Sequence, residues 1–279
     1  MSRPADLPGD VRHPSTPRPI AWADGRVLPA ADATVPLTDD GFLRGDAVFE
    51  SILVRRGRTH ALEAHLARLR RSAAALDLRV PVLRQPVTDL LAAWGERDGV
   101  LRLIVTRGGT IRGLLSTLTW PAAISLAVIE APWRTPISGS KTLSYAANQW
   151  AIRQARSRDA DDALIVDDGV VHELPTGTIC LVTDGRVWTP DATRLPILDS
   201  VTVRALSEVV EVERGMPAVA DLRQADELFV VSASRPVLPV DAVVLGPDDQ
   251  LEFAAPGQVT DRLAKDLDAH IEATLDPMG

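Results

Sequence analysis

The sequence predicts an α+β protein of two units, each a mixture of strands and helices. Three observations carry this. Short apolar runs bounded by Asp-Gly or Arg-Gly turns recur in both halves, at Ile20–Leu28, Ala47–Val54, Ala163–Glu173 and Ile179–Thr189. Apolar residues three or four apart mark helices in both halves, over Leu62–Leu78 and Val259–Leu275. Between the halves, Ala131-Pro132-Trp133-Arg134-Thr135-Pro136 has neither period and carries two prolines, the signature of a linker. The expected organisation is an arm over 1–18, a smaller domain over 19–130, a linker over 131–138 and a larger domain over 139–279.

Residues 1–18 hold Pro4, Pro8, Pro14 and Pro17 with no apolar period, and read as a disordered arm. Ile20-Ala21-Trp22, Asp24-Gly25 and Arg26-Val27-Leu28 form a hairpin. Asp40-Gly41-Phe42-Leu43-Arg44-Gly45-Asp46 leads into the strand Ala47–Val54, which Arg56-Gly57 turns around. The helix over Leu62–Leu78 places His65 and Arg68 one turn apart, where periodicity alone reads both as solvent-facing. A helix over 87–95 and a strand over Gly99–Thr106 follow. Arg112 and Gly113 read as loop, and Ile124–Ile129 as a strand closing the first domain. Beyond the linker, Ser144–Arg158 is helical, with Trp150, Ala151 and Ala155 on one side. Two hairpins come next, and Ser200 caps a helix running through Arg204, Leu206 and Val210. Leu228–Val231 is a short strand opening onto Ser232-Ala233-Ser234.

Composition limits what the chain does. Its 279 residues, 46% apolar and 24% charged, suit a globular protein, and a net charge of −8 argues against nucleic acid or an acidic membrane as a partner. No apolar run is long enough to span a bilayer. Cys180 is the single cysteine, so no internal disulfide forms and a reducing, cytoplasmic setting is expected. The five histidines and Cys180 have no metal-ligand spacing, and no dinucleotide fingerprint, P-loop or serine-hydrolase elbow is present.

Lysine usage is the informative anomaly. Lys and Arg total 30, yet only Lys141 and Lys265 are lysines, and the single tyrosine, Tyr145, lies four residues after the first. Arginine cannot act as a nucleophilic amine, whereas a desolvated lysine can lose its proton and attack a carbonyl. On composition alone Lys141 is either such an amine or an ordinary surface lysine, as Lys265 is expected to be.

The pieces in order decide between the two. Gly41-Phe42-Leu43-Arg44-Gly45-Asp46-Ala47-Val48-Phe49-Glu50, His65-Leu66-Ala67-Arg68-Leu69, Thr106-Arg107-Gly108 and Lys141-Thr142-Leu143-Ser144-Tyr145 are followed by Asp168-Gly169 through Glu173, Thr189-Pro190, Ala225–Phe229 and Pro239-Val240. This series resembles the class IV pyridoxal-phosphate enzymes, which include branched-chain and D-amino-acid aminotransferases and aminodeoxychorismate lyase. The resemblance spans Ile20 to Leu275. It implies two α/β domains with pyridoxal 5′-phosphate in the interdomain cleft, a homodimer, and a small-molecule amine as substrate.

Residue by residue, the resemblance implies that Lys141 forms the Schiff base with the cofactor and that Arg68 binds its phosphate. It implies further that Glu173 faces the pyridine nitrogen and that Tyr145 reaches the phenolic oxygen. Ser200, Val201 and Thr202 match the phosphate turn, and Ser232, Ala233 and Ser234 a second phosphate-side loop. Two departures stand out: Ser200 replaces a glycine, and Ala233 a threonine. The 174–180 stretch also differs, with Thr178 in an asparagine slot. Arg112 resembles the arginine that takes the substrate carboxylate in D-amino-acid transaminases. There, however, the accompanying histidine slot is Leu114 and a tyrosine slot is Phe49. The runs Lys141–Asn148 and Ser51–Arg58 look most like lyase members. The expected activity is therefore 4-amino-4-deoxychorismate lyase, with an aminotransferase acting on D-amino acids, branched-chain amino acids or amines as the alternative. A degenerate, inactive family member is the third reading.

Overall fold

The structure, a computed structural model, describes residues 17–117 and 119–277; the expected arm at 1–18 lies almost wholly outside them. Two sheets organise the described chain. The first has six antiparallel strands in the order β2-β1-β6-β5-β3-β4. These are β1 (Ile20–Ala23), β2 (Arg26–Pro29), β3 (Ala47–Arg55), β4 (Arg58–Thr59), β5 (Gly99–Thr106) and β6 (Ile111–Ser116). A short helix, α1 (Asp40–Arg44), precedes β3, while α2 (Leu62–Ala75) and α3 (Arg84–Trp94) cover one face of the sheet. Alternation explains why: Val48, Ile52 and Val54 of β3 and Leu101, Leu103 and Val105 of β5 pack on Leu66, Leu69, Val87, Leu90 and Trp94. The opposite face of the same strands presents Phe49, Ser51, Val100 and Arg102 to a cleft.

The second sheet has nine strands, ordered β12-β11-β10-β13-β14-β7-β8-β9, with β15 also on β14. They are β7 (Ile124–Glu130), β8 (Asp162–Asp167), β9 (Val170–Val171), β10 (Thr178–Thr183), β11 (Arg186–Pro190), β12 (Val212–Gly215), β13 (Glu227–Ser232), β14 (Arg235–Gly246) and β15 (Asp249–Glu252). Helices α4 (Ala146–Arg156), α5 (Val201–Leu206), α6 (Val219–Leu222) and α7 (Gln258–Ala273) complete it. Leu263, Leu267 and Ile271 of α7 pack with Phe229, Val231 and Cys180, and Leu53 of β3 joins that cluster from the first sheet. Among the described residues no helix is long and apolar enough to cross a membrane.

The α+β class holds, with four local corrections. Ile124–Glu130, placed in the first domain by sequence, pairs in parallel with β8 and β14 in the second sheet. Arg112 lies in strand β6, not in a loop; Gly113 interrupts the strand pattern because α3 packs so closely that a Cβ there would sit 2.5 Å from Leu90. Trp150 is 43% exposed while Ala151 and Ala155 are buried, so the inward side of α4 is narrower than read. The helix capped by Ser200 ends at Leu206 rather than reaching Val210.

Candidate active site

The segment carrying Lys141 leaves its own sheet to dock on the other. Phe49 N–H donates to the Lys141 carbonyl (3.0 Å) and Leu143 N–H to the Ala47 carbonyl (2.9 Å), so 141–143 runs antiparallel along the free edge of β3. Ser72 of α2 accepts the Lys141 N–H through its hydroxyl at 2.9 Å. This approach depends on Gly45, at φ 71° past the end of α1, where a Cβ would lie 2.8 Å from the Ser144 hydroxyl. The backbone of Lys141 is thus fixed from three sides before its side chain does anything.

That side chain enters a cleft of about 770 Å³ between the sheets. Its amine stands 4.7 Å from the centre of the Phe49 ring, which also takes the Arg102 guanidinium at 5.0 Å and makes a T-shaped contact with Tyr145, ring centres 5.4 Å apart. The ammonium is pushed down to about 8, first by burial and then by the Arg68 cation, with Glu50 and Glu173 opposing. Near neutrality a usable share of Lys141 is therefore the neutral, nucleophilic amine.

Arg68 lies at one end of the cleft. Its Nε and Nη2 donate to the two oxygens of Glu50, both at 2.7 Å, and Nη1 donates to the Asp199 carbonyl at 3.1 Å. His65 and Arg68, expected to face solvent, are 2% and 6% exposed; the charge of Glu50 on the helix-covered face of β3 draws both inward. Asp199 immediately precedes the Ser200–Thr202 turn, so Arg68 adjoins the start of α5. Ser200 has φ −75° and ψ 122°, a backbone any residue adopts, and its hydroxyl accepts the Val203 N–H at 3.3 Å. The missing glycine therefore costs the turn nothing. Thr202 lines the cleft, whereas Val201 is buried behind it. Ser232, Ala233 and Ser234 also line it, and the hydroxyls of Ser232 and Ser234, 3.3 Å apart, stand on either side of the Ala233 gap.

Elsewhere on the wall, Glu173 accepts the Leu198 N–H at 3.0 Å and the Trp133 indole N–H at 3.5 Å. Burial raises its carboxyl, against those hydrogen bonds and the Lys141 charge. Tyr145 donates its hydroxyl to the Pro175 carbonyl at 3.0 Å, and burial followed by the Glu173 charge pushes its phenol up to about 12. Phe49 and Thr178 line the cleft as well.

One sequence candidate is not brought in. Arg112 gives Nη1 and Nη2 to Asp24 (3.0 and 3.2 Å) and Nε to the Thr34 carbonyl (2.8 Å), outside the cleft of its own chain. Arg102 was missed: it stands on β5 opposite Ser51 and lines the cleft. The signal was available, since the alternation that buries Leu101 and Leu103 points Arg102 the same way as Phe49.

The residues present suit pyridoxal phosphate. Arg68 keeps two of its five N–H donors beyond the three in use, beside a turn of free backbone N–H groups and two hydroxyls, which fits a phosphate. A lysine with a lowered pKa fits the aldehyde, and a buried carboxyl raised from its ordinary value fits a pyridine nitrogen.

Comparison with known proteins agrees. The sequence profile described as Amino-transferase class IV matches residues 47–243. A "Bifunctional aminodeoxychorismate lyase / D-amino acid transaminase" of Mycobacterium tuberculosis is 33% identical over 255 residues, covering 77% of this chain and 87% of the relative. A "Putative branched-chain-amino-acid aminotransferase" of Methanocaldococcus jannaschii is 29% identical over 247 residues, 78% of this chain and 86% of the relative. Among solved structures, a hypothetical aminotransferase from Mycobacterium tuberculosis superposes with a TM-score of 0.80 at 29% identity, over 91% of this chain and 99% of that one. It is known in a PLP-bound form and in an α-ketoglutarate- and PMP-bound form.

Proposed function

The chain belongs to the class IV aminotransferase family of pyridoxal-phosphate enzymes, and on that premise we propose that it is a 4-amino-4-deoxychorismate lyase releasing 4-aminobenzoate and pyruvate. The observation that supports a working enzyme, against a degenerate one, is Lys141: an amine brought to about 8 in a cleft that also holds Arg68 and Glu173. A relative whose name joins lyase and D-amino-acid transaminase supports the choice of substrate.

Bound pyridoxal phosphate supplies an electron-poor ring that takes up the electron pair left when the carbon bearing the substrate nitrogen loses its proton. The protein's own groups do the rest. Arg68, with Ser200, Val201, Thr202 and the Ser232–Ser234 loop, would hold the phosphate. Glu173, whose carboxyl burial raises, would face the ring nitrogen and hold a proton there by its charge. Tyr145 remains protonated at neutral pH and would offer its hydroxyl as a donor to the phenolic oxygen. Lys141 would hold the cofactor's aldehyde carbon and, as a neutral amine, would serve as general base at the carbon bearing the substrate nitrogen. Phe49 packs beneath that amine.

A second reading, transamination of D-amino acids, is favoured by Arg102, a cation over Phe49 suited to a substrate carboxylate. Arg112, the other candidate for that carboxylate, lies outside the cleft of its own chain and would serve only from a partner subunit of the expected homodimer. Holoenzyme incubated with 4-amino-4-deoxychorismate should release 4-aminobenzoate, followed by its fluorescence. Holoenzyme that aminates keto acids from D-amino acids yet forms no 4-aminobenzoate would exclude the lyase.

A further inference from the structure

Glu50 has no place in the chemistry above, yet its placement demands a reason. It sits on the helix-covered face of β3 between Val48 and Ile52, fully buried, where alternation calls for another apolar side chain. Burying a carboxylate is costly, and well-packed apolar residues often replace such a group with no loss of stability. Three donors converge on it: Arg68 Nε on one oxygen at 2.7 Å, and Arg68 Nη2 at 2.7 Å and His65 Nδ1 at 2.8 Å on the other.

The geometry constrains Arg68 more than it stabilises the core. A guanidinium is a rigid planar fork, so fixing its Nε–Nη2 edge on a buried carboxylate also fixes the direction of every remaining N–H. Nη1 is held in addition by the Asp199 carbonyl, next to the Ser200–Thr202 turn. Two N–H groups remain, on an arginine that lines the cleft.

We propose that Glu50, steadied by His65, is a positioning residue for cofactor capture: it aims the free edge of Arg68 at the phosphate. This rests on the reading of Arg68 as the phosphate ligand. It also predicts a sign that simple charge does not. The Glu50 carboxylate partly cancels the Arg68 charge, so on charge alone its removal would tighten phosphate binding. If aim is what matters, its removal loosens it.

The test is the ratio of the apoprotein's dissociation constants for pyridoxal and pyridoxal phosphate, which reports the phosphate's share of binding. Both ligands are titrated by absorbance into wild type, Glu50→Gln, His65→Asn, Arg68→Ala and the Glu50→Gln/Arg68→Ala double variant. Arg68→Ala should collapse the ratio; if it does not, Arg68 is not the phosphate ligand and the proposal falls with that reading. With Arg68 confirmed, Glu50→Gln should lower the ratio about tenfold or more, leaving pyridoxal affinity nearly unchanged. The double variant should then be no worse than Arg68→Ala alone. A Glu50→Gln ratio that is unchanged or raised overturns the proposal, as does an equal loss for both ligands, which would mark general damage. Should Glu50→Gln not fold, His65→Asn decides: it should lower the ratio in the same direction by a smaller factor, and an unchanged ratio refutes the positioning role.

Discussion

Acidifying the apoprotein should expose the Glu50 cluster as a distinct loss of stability. Glu50 is 0% exposed; burial works to raise its carboxyl, but hydrogen bonds from Arg68 and His65, with their charges, outweigh it and bring it from the ordinary 4.5 to about 2. The folded protein therefore takes up this proton less readily than the unfolded chain. The resulting stabilisation is fully present above pH 4.5 and is lost as the pH falls through about 2. At about 1.36 kcal/mol per pKa unit the whole effect is about 3 kcal/mol, of which about 2 kcal/mol should be gone by pH 3. Urea unfolding at intervals from pH 7 to pH 3 measures it, as the stability difference between wild type and Glu50→Gln. His65, held below its usual value chiefly by burial, gives a loss of the same sign that begins at higher pH. Repeating the pair on a His65→Asn background separates the two. If the difference between wild type and Glu50→Gln stays constant from pH 5 to pH 3, Glu50 is not an ionised, paired carboxylate, and the account of Arg68 built on it fails.

Three further perturbations test the cleft. The rate at which apoprotein captures pyridoxal phosphate should rise with pH to a plateau, with its midpoint near 8, because only neutral Lys141 attacks; Arg68→Ala should move that midpoint upward, and a midpoint above 10 in wild type would deny the activation of Lys141. Glu173→Gln should slow turnover roughly 100-fold while cofactor affinity changes little, measured by steady-state kinetics beside a cofactor titration; unaltered turnover would remove Glu173 from the ring nitrogen. Arg102→Ala should raise the KM of carboxylate-bearing substrates about tenfold without changing cofactor affinity, and an unchanged KM would take Arg102 out of substrate binding.

What the sequence revealed and what it hid follow from the range of the forces involved. Periodicity is local, so β3, β5, α2 and α7 were legible, and the anomalous lysine led to a residue that does enter a cleft with Arg68, Tyr145 and Glu173. Strand β14 was hidden because Pro236 and Pro239 argue against a central strand; it accommodates them with register shifts against β13 and β7. Which sheet β7 joins depends on pairing with β8 and β14, more than thirty residues away, and no local pattern carries that. Glu50 was overlooked for a different reason. It sat inside an apolar run read as a strand and as the end of a family-like stretch, with no role of its own, whereas parity with Val48 and Ile52 would have singled it out as a charge on the buried face.

The docking of the Lys141 segment explains why this site needs both sheets. Lys141 belongs by sequence to the second half, yet its backbone is held by β3 and by Ser72 of α2. Arg68 belongs to the first half, yet Nη1 is held by Asp199 beside α5. Each half thus grips a functional residue of the other, and neither the amine nor the guanidinium is placed if the sheets separate. A ligand that engages both residues binds only the docked form, and so must favour that form by its own binding free energy. Held by Lys141 and Arg68 as proposed, the cofactor would act as a cross-link as well as a reagent. Pulling the two halves apart would release it, and removing it would weaken their junction more than it weakens either core.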